Sequence, residues 1–267
     1  MPLYIPLPFI IFYSFLLGTF FGSFANVLAF RLPLGKSIAM PPSFCPTCEK
    51  RIQLYDLVPV ASYFVLMGKC RHCKAKIPPR YLIVEIFSGL LFAATAFLYP
   101  LPVAVFFAVL AFALLVVALV DIQVQEIPDS MLALMIVAAV CWIIVDPASI
   151  RPIDALIGAA AGAIPLFLLD QATQALIKKD GFGYGDVKLF GTAGLFLGWQ
   201  GVLAAYFVAF ITGAIAAIFM LGAKKTKRGG YIAFGPFICL GTIAAAWSHT
   251  FFGEHLISFF LIVNMLI

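Results

Sequence analysis

The stretch Pro102-Val-Ala-Val-Phe-Phe-Ala-Val-Leu-Ala-Phe-Ala-Leu-Leu-Val-Val-Ala-Leu-Val120, which runs directly into Asp121, decides the architecture. It contains no charged or polar side chain, and its length is close to the roughly 20 apolar residues with which a helix crosses the hydrocarbon core of a bilayer. In hydrocarbon each backbone N–H and C=O must find a partner inside the segment, which makes helix the expected form for a single run of this kind. Composition extends the argument to the whole chain. Hydrophobic residues make up 64% of the 267 and charged residues 11%, whereas a soluble domain carries about a quarter of its residues as charges. The 28 phenylalanines are too many for a water-soluble core of this size to hide.

Working outward, Phe9–Phe30, Tyr81–Tyr99, Met131–Val145, Ile153–Ile177 and Tyr231–Trp247 are further candidate spans. Val187 to Gly222 is too long for one helix, and Gly198-Trp-Gln-Gly201 offers a turn, so a short span followed by a full one is expected there. The tail Leu256–Ile267 is too short to cross comfortably. The expected fold is an all-α polytopic membrane protein with about eight transmembrane helices. Residues 1–30 lack a basic leading region and a small-x-small cleavage site and end before Arg31, so they read as a retained first helix.

Lys and Arg set the orientation. Nine lie within Arg31–Arg80, three in the 178–188 connection (Lys178, Lys179, Lys188) and four in Lys224–Arg228, leaving only Arg151 of the 17 elsewhere. Alternating the spans places all three basic connections on one face, which is therefore expected to be cytoplasmic. The net charge of +5 is then a topology signal and points to the bilayer, with no nucleic-acid partner expected.

The one sizeable polar segment is residues 31–80, with Cys45-Pro-Thr-Cys48 and Cys70-Arg-His-Cys73. Each Cys-x-x-Cys turns tightly enough to present two thiolates to one ion, and two such pairs complete a tetrahedron, the pattern of a structural zinc site. Disulfides and free thiols are the alternatives, the former disfavoured in a reducing cytoplasm. With four protein ligands no coordination position stays open, so Zn2+ would hold together a loop too small for a core of its own. Cys141 and Cys239 fall in apolar runs and read as packing residues.

Asp121 stands at a membrane boundary, where an ionisable group is either functional or marks a helix end. Asp129, in Ile127-Pro128-Asp129-Ser130, is placed to cap a helix. Asp186 lies in Gly181-Phe-Gly-Tyr-Gly-Asp186, whose alternate glycines clear side chains from around the carboxylate. That run lacks the spacing and the preceding strand of a nucleotide-binding loop, leaving a plain loop with a helix cap as the alternative to a functional carboxylate. By the orientation count, Asp121 and Asp186 fall on the same face. Two carboxylates that meet can share a proton and activate water.

Beyond these pairs, Gly22-Ser-Phe-Ala-Asn-Val-Leu-Ala-Phe-Arg-Leu-Pro33, Ser62-Tyr63, Gly68-Lys-Cys-Arg-His-Cys73, Arg80-Tyr-Leu-Ile-Val-Glu85, Gly183-Tyr-Gly-Asp186-Val-Lys188 and Ala233-Phe-Gly-Pro-Phe237 occur in order along the chain. Together with Cys45–Cys48 and the Asp121 to Asp129 segment they resemble the type IV prepilin peptidase family of Gly-x-Gly-Asp membrane aspartyl proteases. The resemblance implies that Asp121 and Asp186 are the catalytic pair, that Asp129 is auxiliary, and that Cys45, Cys48, Cys70 and Cys73 hold zinc. It also implies two reactions: removal of the basic leader of prepilin-like single-span proteins at the cytoplasmic face, and methylation of the new N-terminus by S-adenosylmethionine.

On that basis the chain divides into a first helix (1–30), a cytoplasmic zinc-binding loop serving methyl transfer (31–80) and a transmembrane aspartyl peptidase domain (81–267). Asp56, Arg80 and Glu85 are candidates for the methyl-donor region; they read equally well as ordinary charges at a bilayer edge. Two other classes remain open at this point: a zinc-loop scaffold without catalysis, and a transporter using the aspartates as a relay. A transporter would carry its polar groups near the midplane, where Asp170 is the main candidate here.

Overall fold

The computed structural model describes residues 6–147, 150–177, 183–222 and 232–248; the basic run Lys224–Arg228, Lys178, Lys179, Gly181 and the tail Leu256–Ile267 lie outside them. Apart from two isolated β-bridges, the regular structure of the described residues is helical. The α-helices are α1 (Leu7–Arg31), α2 (Ala61–Val65), α3 (Arg80–Leu98), α4 (Leu101–Val124), α5 (Asp129–Val145), α6 (Pro152–Ile177) and α7 (Tyr184–Gly222), followed by α8 (Gly235–Ser248). A single 3-10 turn covers Leu54–Leu57. Among the described residues five helices (α1, α3, α4, α6 and α7) are long and apolar enough to cross a membrane, and α5 and α8 are shorter apolar helices. Gly198, at φ 63° and ψ −179°, breaks α7 into two helical stretches. The described apolar stretches are therefore those expected from the sequence, including the division of the Val187–Gly222 region.

Proline punctuates the helix starts. Pro6, Pro79 and Pro128 immediately precede α1, α3 and α5, while Pro152 opens α6 and Pro236 falls in the first turn of α8. A missing N–H is harmless there, because the first-turn N–H groups have no intrahelical acceptor.

Contacts divide the chain into two compact units, Met1–Val120 and Asp121–Ile267. In the first, α1 and α3 pack backbone to backbone. A Cβ added to Gly18 would lie 2.7 Å from the Ser88 carbonyl oxygen, and one on Gly22 would lie 2.8 Å from the Glu85 Cα. Lipid tails are as apolar as leucine, so helices in a bilayer associate through close packing of this kind. In the second unit α6 and α7 meet in the same way, Gly158 against Gly194 and Gly162 against the backbone of Phe190. The Tyr206 hydroxyl of α7 donates to the Gly162 carbonyl, and Trp142 of α5 stacks on Phe196 of α7 at 5.8 Å. Large apolar side chains such as Phe9, Phe12, Phe20, Ile215 and Phe219 remain exposed, as suits helices whose outer solvent is hydrocarbon.

Candidate active site and metal centre

The last turn of α4 delivers Asp121. Its side chain is buried, and Oδ2 accepts the backbone N–H of Gly235 at 2.9 Å. Gly235 is the first residue of α8, so the carboxylate satisfies one of that helix's otherwise unpaired N–H groups. A Cβ at 235 would stand 2.7 Å from the same oxygen, so a larger residue there would have to displace the carboxylate. The sequence marks this position as part of Ala233-Phe-Gly-Pro-Phe237, with a helix-starting Gly-Pro as the signal, but gives no hint of its partner.

The first turn of α7 delivers Asp186. Its own N–H bonds to the Gly183 carbonyl at 2.9 Å, and a Cβ on Gly183 would sit 3.7 Å from the Asp186 Oδ2. Gly185 packs against Ile127, where an added Cβ would be 3.1 Å from the Ile127 Cβ. Asp186 is half-buried and lies within electrostatic range of Asp121. The two carboxylates, remote in sequence, are thus brought to one region of the second unit.

Asp129 does not cap α5. The capping position is Pro128, and no side-chain cap bond forms. Its carboxylate instead accepts Lys188 Nζ at 2.9 Å, which ties the start of α5 to α7 two residues past Asp186. Asp170 is buried and accepts the Gln174 amide at 3.0 Å.

In the first unit the two cysteine pairs are built alike. Cys45 N–H bonds to the Lys50 carbonyl and Glu49 N–H returns to the Cys45 carbonyl; Cys70 with Ala75, and Lys74 with Cys70, repeat the pattern. Glu49 and Lys74 occupy equivalent left-handed positions, at φ 58° and 61°. Single antiparallel bridges, Phe44 with Arg51 and Lys69 with Lys76, close each turn. The four sulfurs lie within 4.8 Å of one another, and Cys45 Sγ is 3.8 Å from Cys73 Sγ. That separation is far beyond a disulfide bond and equals the edge of a tetrahedron with metal–sulfur bonds of about 2.3 Å. The N–H groups of Cys48 and Thr47 hold the Cys45 thiol down to about 6, and those of Cys73 and His72 lower Cys70 in the same way. The four cysteines can therefore hold a metal ion.

The three remaining candidates are placed separately. Asp56 forms an ion pair with Arg71 at 2.6 Å, which holds its carboxyl below the usual carboxylate range. Glu85, buried in α3, accepts the Val60 N–H at 2.7 Å. Val60 is a β-branched residue at φ 61°, a conformation that needs an external hold. Arg80 is exposed at the start of α3. Among the described residues no hydrogen bond or ion pair joins the three to one another. The sequence did not disclose the Glu85–Val60 contact, because it depends on how the loop folds back.

Residues 108–218 match the type IV leader peptidase family, and residues 16–99 match the bacterial peptidase A24 N-terminal domain. The chain is 34% identical over 253 residues to the prepilin leader peptidase/N-methyltransferase of Bacillus subtilis, covering 92% of this chain and 96% of that protein. It is 32% identical over 273 residues to the protein of the same name from Pseudomonas aeruginosa, covering 91% of each. The Dickeya chrysanthemi counterpart is 29% identical over 266 residues, covering 88% of this chain and 93% of the other. No solved structure matches. With relatives above 30% identity along nearly their full length, this multi-pass membrane chain belongs to the type IV leader peptidase family.

Proposed function

We propose that the protein is a prepilin leader peptidase of the inner membrane that cleaves the basic leader from single-span prepilins at the cytoplasmic face and N-methylates the new N-terminus. The observation that supports the peptidase reading is that Asp121 and Asp186 belong to the same compact unit, where the charge of one acts on the other. One is held by the Gly235 N–H, and the other stands at a glycine-cleared helix start.

The chemistry follows from two carboxyl groups sharing a proton. The ionised member takes a proton from water as the water oxygen bonds to the scissile carbonyl carbon. The protonated member donates a hydrogen bond to the carbonyl oxygen. Collapse of the tetrahedral intermediate breaks the C–N bond, and the departing nitrogen takes up a proton from the pair. The Gly235 N–H fixes one oxygen of Asp121 and leaves the other available. Gly183, where an added Cβ would meet nothing closer than 3.7 Å, leaves room for an extended substrate backbone beside Asp186.

For the second reaction S-adenosylmethionine supplies the methyl group. Asp56 and Glu85 are already engaged with Arg71 and Val60, so they fit a role in shaping residues 31–80 better than one in gripping the methyl donor. Cys45, Cys48, Cys70 and Cys73 hold a structural zinc ion in this reading, supported by the tetrahedral spacing of their sulfurs.

The test is cleavage of a prepilin by Asp121→Asn and Asp186→Asn variants in membranes. Each should lose activity by at least about a hundredfold, as expected for loss of an acid–base group. Full activity of either variant removes the pair.

A further inference from the structure

Lys69 and Lys76 face each other across an antiparallel bridge. Directly opposed residues in such a pair project to the same side, and like charges placed there repel. Neither lysine forms an ion pair among the described residues, and both are exposed. The loop of residues 31–80 has only Glu49 and Asp56 as acidic residues, and Asp56 is committed to Arg71. Two exposed lysines therefore stand opposite each other on this bridge, with no ion pair to either among the described residues.

The pair stands at an open cleft of about 360 Å³, walled by Tyr63, Met67, Ile77, Pro78 and Pro79. Gly68, at φ 64°, lets the chain turn beneath Tyr63; a Cβ there would be 3.0 Å from its ring. Pro79 immediately precedes α3, a helix long and apolar enough to cross the membrane, so the cleft lies where the chain enters the bilayer. Beside it Phe64, Val65 and Met67 are 65%, 73% and 84% exposed. In water such a patch would be a liability. At a membrane surface it enters the boundary between headgroups and acyl chains, with lysines on the polar side.

We propose that this cleft binds the anionic headgroup of a bilayer phospholipid, with Lys69 and Lys76 holding the phosphate and the Phe64–Met67 segment inserted beside it. A soluble anion would not call for the apolar patch, and a basic leader peptide would be repelled by the lysines. The binding site is independent of cleavage by the aspartate pair.

The test uses the full chain in nanodiscs of mixed zwitterionic and anionic phospholipid, with the photoreactive amino acid p-benzoylphenylalanine replacing Met67. Adducts are identified by mass spectrometry. The expected result is enrichment of anionic-lipid adducts over the bulk ratio. Each lysine near an anionic surface is worth about a fivefold preference, so K69Q/K76Q should lower the enrichment by up to about 25-fold, while K50Q leaves it unchanged. Adducts at the bulk ratio in the protein retaining both lysines overturn the proposal, a reading that needs no lysine variant to fold. Enrichment that persists in K69Q/K76Q, that is abolished by inorganic phosphate, or that is replaced by adducts to added prepilin also overturns it.

Discussion

Gly235 donates its backbone N–H to Asp121 Oδ2 at 2.9 Å, so one buried hydrogen bond joins the last turn of α4 to the first turn of α8. The bond fixes the rotamer of a carboxylate that the proposed reaction needs in one place. Gly235→Ala forces the oxygen away, because the new Cβ would be 2.7 Å from it. A displacement of about 1 Å at a reacting group can cost on the order of a hundredfold in rate. Prepilin cleavage by this variant should fall by that order while metal content stays at the parent level. Parental cleavage would show that the bond does not position Asp121.

The Lys188–Asp129 pair links the starts of α5 and α7 next to Asp186, but its side chains are 49% and 76% exposed. Such a pair contributes little to stability, so any effect should be on positioning. Asp129→Ala and Lys188→Ala should each lower kcat by about three- to tenfold with little change in Tm, an effect of the size seen when coupling within one network is lost. The swapped D129K/K188D protein should recover part of the loss. If the swapped protein is no better than the worse single variant, the ion pair is not what matters.

Cys45, Cys48, Cys70 and Cys73 should bind about one zinc ion per chain. Cys73→Ser should lower the metal content measured on the purified protein, because the site loses one of four ligands. Chelation should expose residues 31–80 to protease before the helices, since a small metal-held loop loses its folding energy with the ion. Unchanged metal content in Cys73→Ser would exclude the site.

Glu85→Ala strands the half-buried Val60 N–H, at a cost towards the lower end of the roughly 1–3 kcal/mol of a buried unmet donor, whereas Glu85→Gln keeps a carbonyl acceptor. The alanine variant should therefore loosen the loop more than the glutamine variant. If the loop serves methyl transfer, mass spectrometry of processed prepilin should show methylation falling further than cleavage in Glu85→Ala. Equal losses of both reactions would separate Glu85 from that role.

The apolar runs and the break at Gly198 were legible because each is local. Helix formation in hydrocarbon depends on backbone bonds within the segment, and a glycine at positive φ acts on its own residue. The cysteine spacing was legible for the same reason. The position of Asp129 beside Pro128 suits capping, whereas its side-chain partner, Lys188, comes from another helix that local sequence does not reveal.

By itself the sequence marked out a helical membrane protein, two cysteine pairs that could hold a metal, and Asp121 and Asp186 as candidate site residues. Only the tertiary structure placed Asp121 and Asp186 in one region and supplied Gly235 as the partner of Asp121. It also set Glu85 under Val60 and the lysine pair beside its cleft. The difference is physical: spans and knuckles are specified by bonds between near neighbours, whereas the Asp121–Gly235 and Glu85–Val60 contacts join residues far apart in the chain and form only when their helices and loop pack.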